Sequence, residues 1–116
     1  MSENQVFESV LFLKPVGGDH RAIQRFFEEE QVLEHASRKP GFLGSELHLP
    51  VNGGELTMVT ALWESEDAYR GWVEDKWRAE NATRHANVFE AMELAGGGGL
   101  LYEIAISVKP TLDPHD

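Results

Sequence analysis

Too many strand faces are apolar for a chain of 116 residues to cover by itself. The segment from Gln5 to Lys14 carries Val6, Val10 and Phe12 on one parity and Phe7, Leu11 and Leu13 on the other. From Glu55 to Trp63, Leu56, Met58 and Leu62 oppose Val59, Ala61 and Trp63, and the segment Leu100 to Val108 is likewise two-sided. Runs apolar on both parities and rich in β-branched and aromatic residues predict strands covered on both faces. The chain's own helices can cover one face. A second copy on a two-fold axis is the economical cover for the other, so a homodimer is expected.

Between the strands, local signals order the rest. Pro15-Val-Gly-Gly breaks the first strand and Asp19 is placed to cap a helix. Ile23, Phe26, Phe27, Leu33 and Ala36 form its apolar stripe, with Glu28, Glu29, Glu30 and Glu34 toward solvent. Lys39-Pro40-Gly41 stops it. A second strand runs from Phe42 to Leu49, and Asn52-Gly53 predicts a tight hairpin because both residues tolerate positive φ. Ser65 caps a second helix whose buried stripe is Ala68, Tyr69, Trp72 and Val73, with Glu66 and Asp67 in its first turn. Helical character then continues, after a break, through Trp77 to about Glu93. Gly96 to Gly99 form a loop, Leu100 to Val108 the last strand, and Thr111 to Asp116 a loose polar tail. The order βαββαβ is that of an α+β, ferredoxin-like split sandwich with helices on one face of an antiparallel four-stranded sheet. One domain spans residues 1–116, with its core between about residues 5 and 108.

Composition excludes several classes of function. Twenty acidic against ten basic residues, a net charge of −10, argues against nucleic acid or an anionic membrane as partner. No apolar stretch is long enough to span a bilayer, and the start Met1-Ser-Glu-Asn-Gln is unlike a secretory signal, so a cytoplasmic protein is expected. The absence of cysteine rules out disulfides, thiolate metal sites and cysteine nucleophiles. No two of the five histidines have metal-ligand spacing, so no protein-bound metal is expected.

Two segments carry a resemblance. Pro40-Gly-Phe-Leu-Gly44 and Trp63-Glu-Ser-Glu-Asp-Ala-Tyr69 resemble recurring segments of the antibiotic-biosynthesis-monooxygenase family, and the likeness runs from about residue 5 to residue 108. It implies a dimeric α+β barrel in which two sheets face each other. It also implies one of two chemistries. Cofactor-independent members pass an electron from a deprotonated polycyclic phenol to dioxygen, which asks of the protein an apolar pocket, hydrogen bonds and water exclusion. Heme-degrading members hold iron on a histidine of the second helical region, with an asparagine and a tryptophan on the distal side.

The residues divide between these patterns. Trp63 and Tyr69 match the Trp and Tyr of quinone-forming members, while the Asn those enzymes carry four positions earlier is here Val59. Trp72 matches the distal tryptophan of the heme-degrading pattern, but the ligand histidine falls at Asn81 and the first-strand asparagine near Val10. His85, four residues beyond Asn81 and on its helical face with Trp77 and Val88, can substitute as ligand or act as a proton carrier. Bringing Trp72 and Asn81 together requires a break near Glu74 to Trp77. The candidate catalytic residues are therefore His85, Asn81 and Trp72, with Trp63, Tyr69, Phe27 and Phe89 around an aromatic substrate. Each also has a structural reading. Trp63, Tyr69 and Trp72 suit a core, Asn81 and His85 suit a helix surface, and His20, His35, His48 and His115 read as surface residues. The expected function is cofactor-independent monooxygenation of an aromatic small molecule, with dioxygen as co-substrate. The alternatives are heme binding and degradation with His85 as axial ligand, and a non-catalytic ligand-binding barrel.

Overall fold

The computed structural model describes residues 5–81, 84–92 and 99–111. Strands β1 (Phe7–Pro15), β2 (Phe42–His48) and β3 (Thr57–Trp63) alternate with helices α1 (His20–Glu30), α2 (Val32–Ala36), α3 (Glu66–Val73) and α4 (Lys76–Glu80). Two short strands, β4 (Phe89–Met92) and β5 (Leu100–Glu103), close the order. The sheet is antiparallel throughout and runs β2-β3-β1-β4, with β5 also on β1. The expected α+β architecture is present, with the last strand divided. Phe12 pairs with Met92 and Val10 with Leu100, so β4 and β5 share one edge of β1. His115, Gly96 to Gly98 and the tail beyond Thr111 lie outside the described residues.

Alternation along the strands produces the core. Leu13 faces the helices and packs with Ile23, Phe27 and Phe89, each less than a tenth exposed. Burying side chains of this kind stabilises by roughly 1.5–3 kcal/mol apiece. A second cluster joins Ala36, Ala61 and Trp63, with Phe42, Ala68, Tyr69 and Trp72 against it. Asp19 and Ser65 cap α1 and α3 as expected, accepting from the backbone N–H of Ala22 and Ala68. The two family-like segments meet each other. The N–H of Glu64 donates to the carbonyl of Gly41 at 2.8 Å, and a Cβ at Gly41 would stand 2.6 Å from that of Ala68. Gly41 also has φ of +84°, so glycine is needed there for conformation and for closeness.

Four sequence expectations are corrected. The first helix is not continuous, because Gln31 takes the left-handed conformation (φ 53°) and α2 starts afresh. The turn between β2 and β3 is not a two-residue hairpin. It occupies residues 49–56, and of Asn52 and Gly53 only Gly53 has positive φ. The second helical region does not reach Glu93. It ends at Glu80, and Phe89–Met92 is a strand because Phe89 is held in the core while Ala91 and Glu90 alternate inward and outward against Leu13 and Lys14. The last strand stops at Glu103, followed by one further ladder bond from the Ile104 N–H to the Val6 carbonyl. Ile106 and Val108, expected inside it, are 85% exposed.

Candidate functional site

Helices and sheet enclose a cavity of about 390 Å³, within the range of small-molecule sites. Ser9, Leu11 and Leu13 of β1 and Val59 and Ala61 of β3 form its floor. Phe26, Phe27 and Phe89 stand on one side, with Phe26 edge-on to Phe89 at 5.6 Å between centroids. Tyr69, Trp72, Trp77, Arg78, Asn81 and His85 line the rest. Six of the seven candidate residues are thus gathered on one cavity. Trp63 is not among the lining side chains: it is fully buried beneath the site, donating from its indole N–H to the Ser9 Oγ at 3.0 Å.

A chain break assembles this wall. Glu74 (φ −93°, ψ 6°) ends α3, and Asp75 is extended before α4 begins. The turn places α4 so that Trp72 and Asn81, nine positions apart, reach the same space. Asp75 holds the break together. Its carboxylate accepts from the backbone N–H of Trp77 and Arg78 and from the Lys39 Nζ at 2.8 Å. The Lys39 ammonium, helped by those two backbone donors and opposed by burial, holds the Asp75 carboxyl below the usual carboxylate range. A carboxyl depressed in the folded state contributes stability above its ordinary pKa and loses it as pH falls through the folded value. Replacing Asp75 by Asn keeps a capping acceptor and removes only the charge that pairs with Lys39, so it should lower stability at neutral pH by about 0.2–1 kcal/mol, the usual worth of a partly exposed ion pair. Thermal unfolding of the two proteins at neutral and acid pH checks this, since their difference should shrink at the acid end.

On the wall, Asn81 caps α4 and donates from Nδ2 to the Trp77 carbonyl at 2.9 Å. A carbonyl only accepts, so this bond fixes which amide atom is oxygen. The Asn81 Oδ1 is buried and, among the described residues, is the side-chain polar atom left without a partner. Such an orphan costs about 1–3 kcal/mol until it meets a donor. His85 lies flat on Phe89 with centroids 4.2 Å apart, its Nδ1 3.3 Å from the Phe89 carbonyl. That oxygen calls for a proton on Nδ1, which leaves the Nε2 lone pair as the basic site of the ring. The Tyr69 hydroxyl accepts the Gly99 N–H at 3.1 Å. Only glycine fits at position 99, where a Cβ would run into the Val10 carbonyl oxygen.

Sequence reasoning missed part of the lining. Arg78 and Phe26 received no site role, although Arg78 follows Trp77 directly and Phe26 shares the stripe of Phe27. It also missed the flat stack of His35 on Trp77, 3.7 Å between centroids, which ties α2 to α4. Among the described residues no three His, Cys, Asp or Glu side chains gather as a metal site, and no helix is long and apolar enough to cross a membrane.

Comparison with known proteins places this geometry. The sequence pattern of antibiotic biosynthesis monooxygenases matches residues 19–87. A mycobilin-producing heme oxygenase of Mycobacterium tuberculosis is 33% identical over 98 residues, which are 84% of this chain and 86% of that protein. The structure of the M. tuberculosis heme-degrader MhuD, with two hemes bound in its active site, is similar with a TM-score of 0.67 at 25% identity. The match covers 90% of this chain and 99% of that one. SnoaB, a cofactor-independent oxygenase from Streptomyces nogalater, has a TM-score of 0.62 at 18% identity over 94% of this chain and 97% of its own, a likeness of fold.

Proposed function

The chain belongs to the antibiotic biosynthesis monooxygenase family, and from that premise we propose that it oxygenates a hydroxylated polycyclic aromatic with dioxygen and no bound cofactor. The observation that carries this reading is the orphaned Asn81 Oδ1 in a largely apolar cavity shared with His85. A substrate hydroxyl donates to that oxygen, which orients the ring system between Trp72 and the phenylalanines. The His85 Nε2 takes the acidic proton of the substrate. The resulting anion passes one electron to dioxygen, and the radical pair recombines as a carbon-bound hydroperoxide after the proton returns. Loss of water then leaves a carbonyl, so one methylene and one dioxygen become one ketone and one water. Apolar walls serve the step by excluding bulk water from the anion.

A second reading is favoured by the 33% identity to a heme oxygenase. His85 is the single side chain among the described lining residues with a ring nitrogen suited to iron, and its Nδ1 contact to a backbone carbonyl is of the kind that orients a ligating imidazole. Heme held there would supply iron-based activation of dioxygen. In that arrangement an amide stands where the family resemblance expects the ligand, and its buried oxygen gains no donor from the porphyrin.

Two measurements separate the readings. Oxygen uptake with anthrone as probe, in the presence of a chelator, should match quinone formed mole for mole under the first. Hemin titration should then give no saturable Soret change. A one-to-one Soret change that disappears in His85→Ala, with anthrone untouched, establishes the second and overturns the first.

The reading includes a homodimer. Val10, Phe12, Met58 and Leu62 lie on the sheet face away from the helices and stay only partly covered. A second sheet laid on them buries both apolar faces. Sedimentation should give twice the 13.0 kDa chain mass, and Phe12→Lys should dissociate the pair. A wild-type monomer at micromolar concentration sinks the proposal.

A further inference from the structure

We infer that the aromatic ligand of this cavity carries a short, uncharged aliphatic side chain, and that a second chamber behind Leu33 takes it. The inference rests on the reading above of the first cavity as a site for a planar aromatic, and it names a further part of that ligand. Three observations carry it. A second cavity of about 380 Å³ lies between α1, α2 and the C-terminal end of β2. It shares Phe27 and Leu33 with the first cavity, so these two side chains form the partition between them. The helix breaks beside that partition, at Gln31, a residue other than glycine held in the left-handed conformation (φ 53°, ψ 47°).

The two halves of the partition differ. Phe27 is buried with Leu13, Ile23 and Phe89, and moving it would open gaps in a close-packed cluster. Leu33 is only partly covered and belongs to α2, a helix of five residues that starts afresh after Gln31. Left-handed backbone at a residue with a side chain is strained, and it persists where the surroundings enforce it. Here it ends α1 and lets α2 carry Leu33 independently of Phe27. A change of rotamer at Leu33 then joins the chambers with the core left in place. The second chamber itself says what enters. Leu47 and Leu49 complete an apolar inner surface against the partition. At the rim, Arg21 Nη1 donates to Gln24 Oε1 at 2.6 Å and Gln24 Nε2 to Glu28 Oε2 at 3.3 Å, so these polar groups bind one another along the helix. Glu28 and Glu34 outnumber Arg21 there, in a chain of net charge −10, which disfavours an anionic chain end. Any ion would also lose hydration inside apolar walls. A hydrocarbon chain meets neither obstacle, and its burial is favourable.

A homologous series of probes tests this on the intact protein. Calorimetric titration would compare a hydroxyanthraquinone with its methyl, propyl and pentyl derivatives, the chain being placed at each ring position in turn. In one positional series the wild-type affinity should rise roughly threefold to fourfold per methylene. A carboxylate at the end of the pentyl chain should cancel most of that gain. Leu49 lines only the second chamber, so Leu49→Trp should flatten the series and leave the unsubstituted ring bound as before. Leu47→Phe narrows the same chamber from β2 and should lower the slope in the same way. If no positional series gains with chain length, the inference is overturned, while binding of the bare ring leaves the reading above standing. A gain that survives in both variants also overturns it, since the chain then lies elsewhere. Failure of the wild type to bind any member overturns the planar-aromatic reading itself and this inference with it.

Discussion

Replacing Trp63 by Ala should cost about 3–5 kcal/mol, the usual range for deleting a buried tryptophan. A domain of this size has roughly 5–15 kcal/mol in all, so the variant should unfold at far lower urea or not fold at all. The reason is local. Trp63 is fully buried, touches Phe42 across the β2–β3 ladder at 5.5 Å between centroids, and meets Tyr69 of α3 at 6.0 Å. It therefore joins two strands and a helix in one contact, and its loss leaves a cavity none of them can close alone. Trp63→Phe keeps most of the volume and takes away the donor to the Ser9 Oγ, which retains its own bond to the Ala61 carbonyl, at a cost nearer 1–2 kcal/mol. Urea unfolding of all three proteins gives the comparison. Should Trp63→Ala unfold near the wild-type midpoint while turnover disappears, the ring belongs to the chemistry and not to the core.

This division between core and cavity shows what could be read before the structure. The helix starts were legible, because Asp19 and Ser65 are capping residues whose effect needs only the next three residues. The strands β1 and β3 were legible from parity, whereas the last strand, read by the same parity as running to Val108, ends at Glu103. Phe89 to Met92 was not legible, since Glu, Ala and Met favour helices and nothing local says that the free edge of β1 will claim them. That strand exists through tertiary pairing alone, from Pro15 opposite Phe89 to Phe12 opposite Met92. The site was half legible for the same reason. Trp72, Asn81 and His85 could be nominated by resemblance and spacing, but their convergence depends on the break at Glu74 and Asp75. The ion pair that stabilises this break joins positions 39 and 75. Likewise, that Gly99 must be glycine follows from the closeness of the Val10 carbonyl, a contact between distant parts of the chain.

Substituting His85 by Gln should lower turnover by about a hundredfold to ten-thousandfold, the usual worth of a positioned base. Gln keeps a side chain of similar reach and can still donate to the Phe89 carbonyl, so the wall should remain folded. What it lacks is a basic lone pair, and the loss should therefore fall on kcat with KM little changed. Asn81→Ala should do the reverse. It removes the acceptor that orients the substrate hydroxyl and also the buried orphan oxygen. It also loses the Nδ2 bond to the Trp77 carbonyl, worth about 0.5–1.5 kcal/mol, against about 1–3 kcal/mol for relief of the orphan, so the free protein should keep its stability within about 1 kcal/mol while KM rises. That opposite pairing of effects distinguishes a base from a positioning acceptor on the same wall. If His85→Gln turns over substrate at the wild-type rate, the imidazole is only a packing partner of Phe89, and the proton must leave by another route.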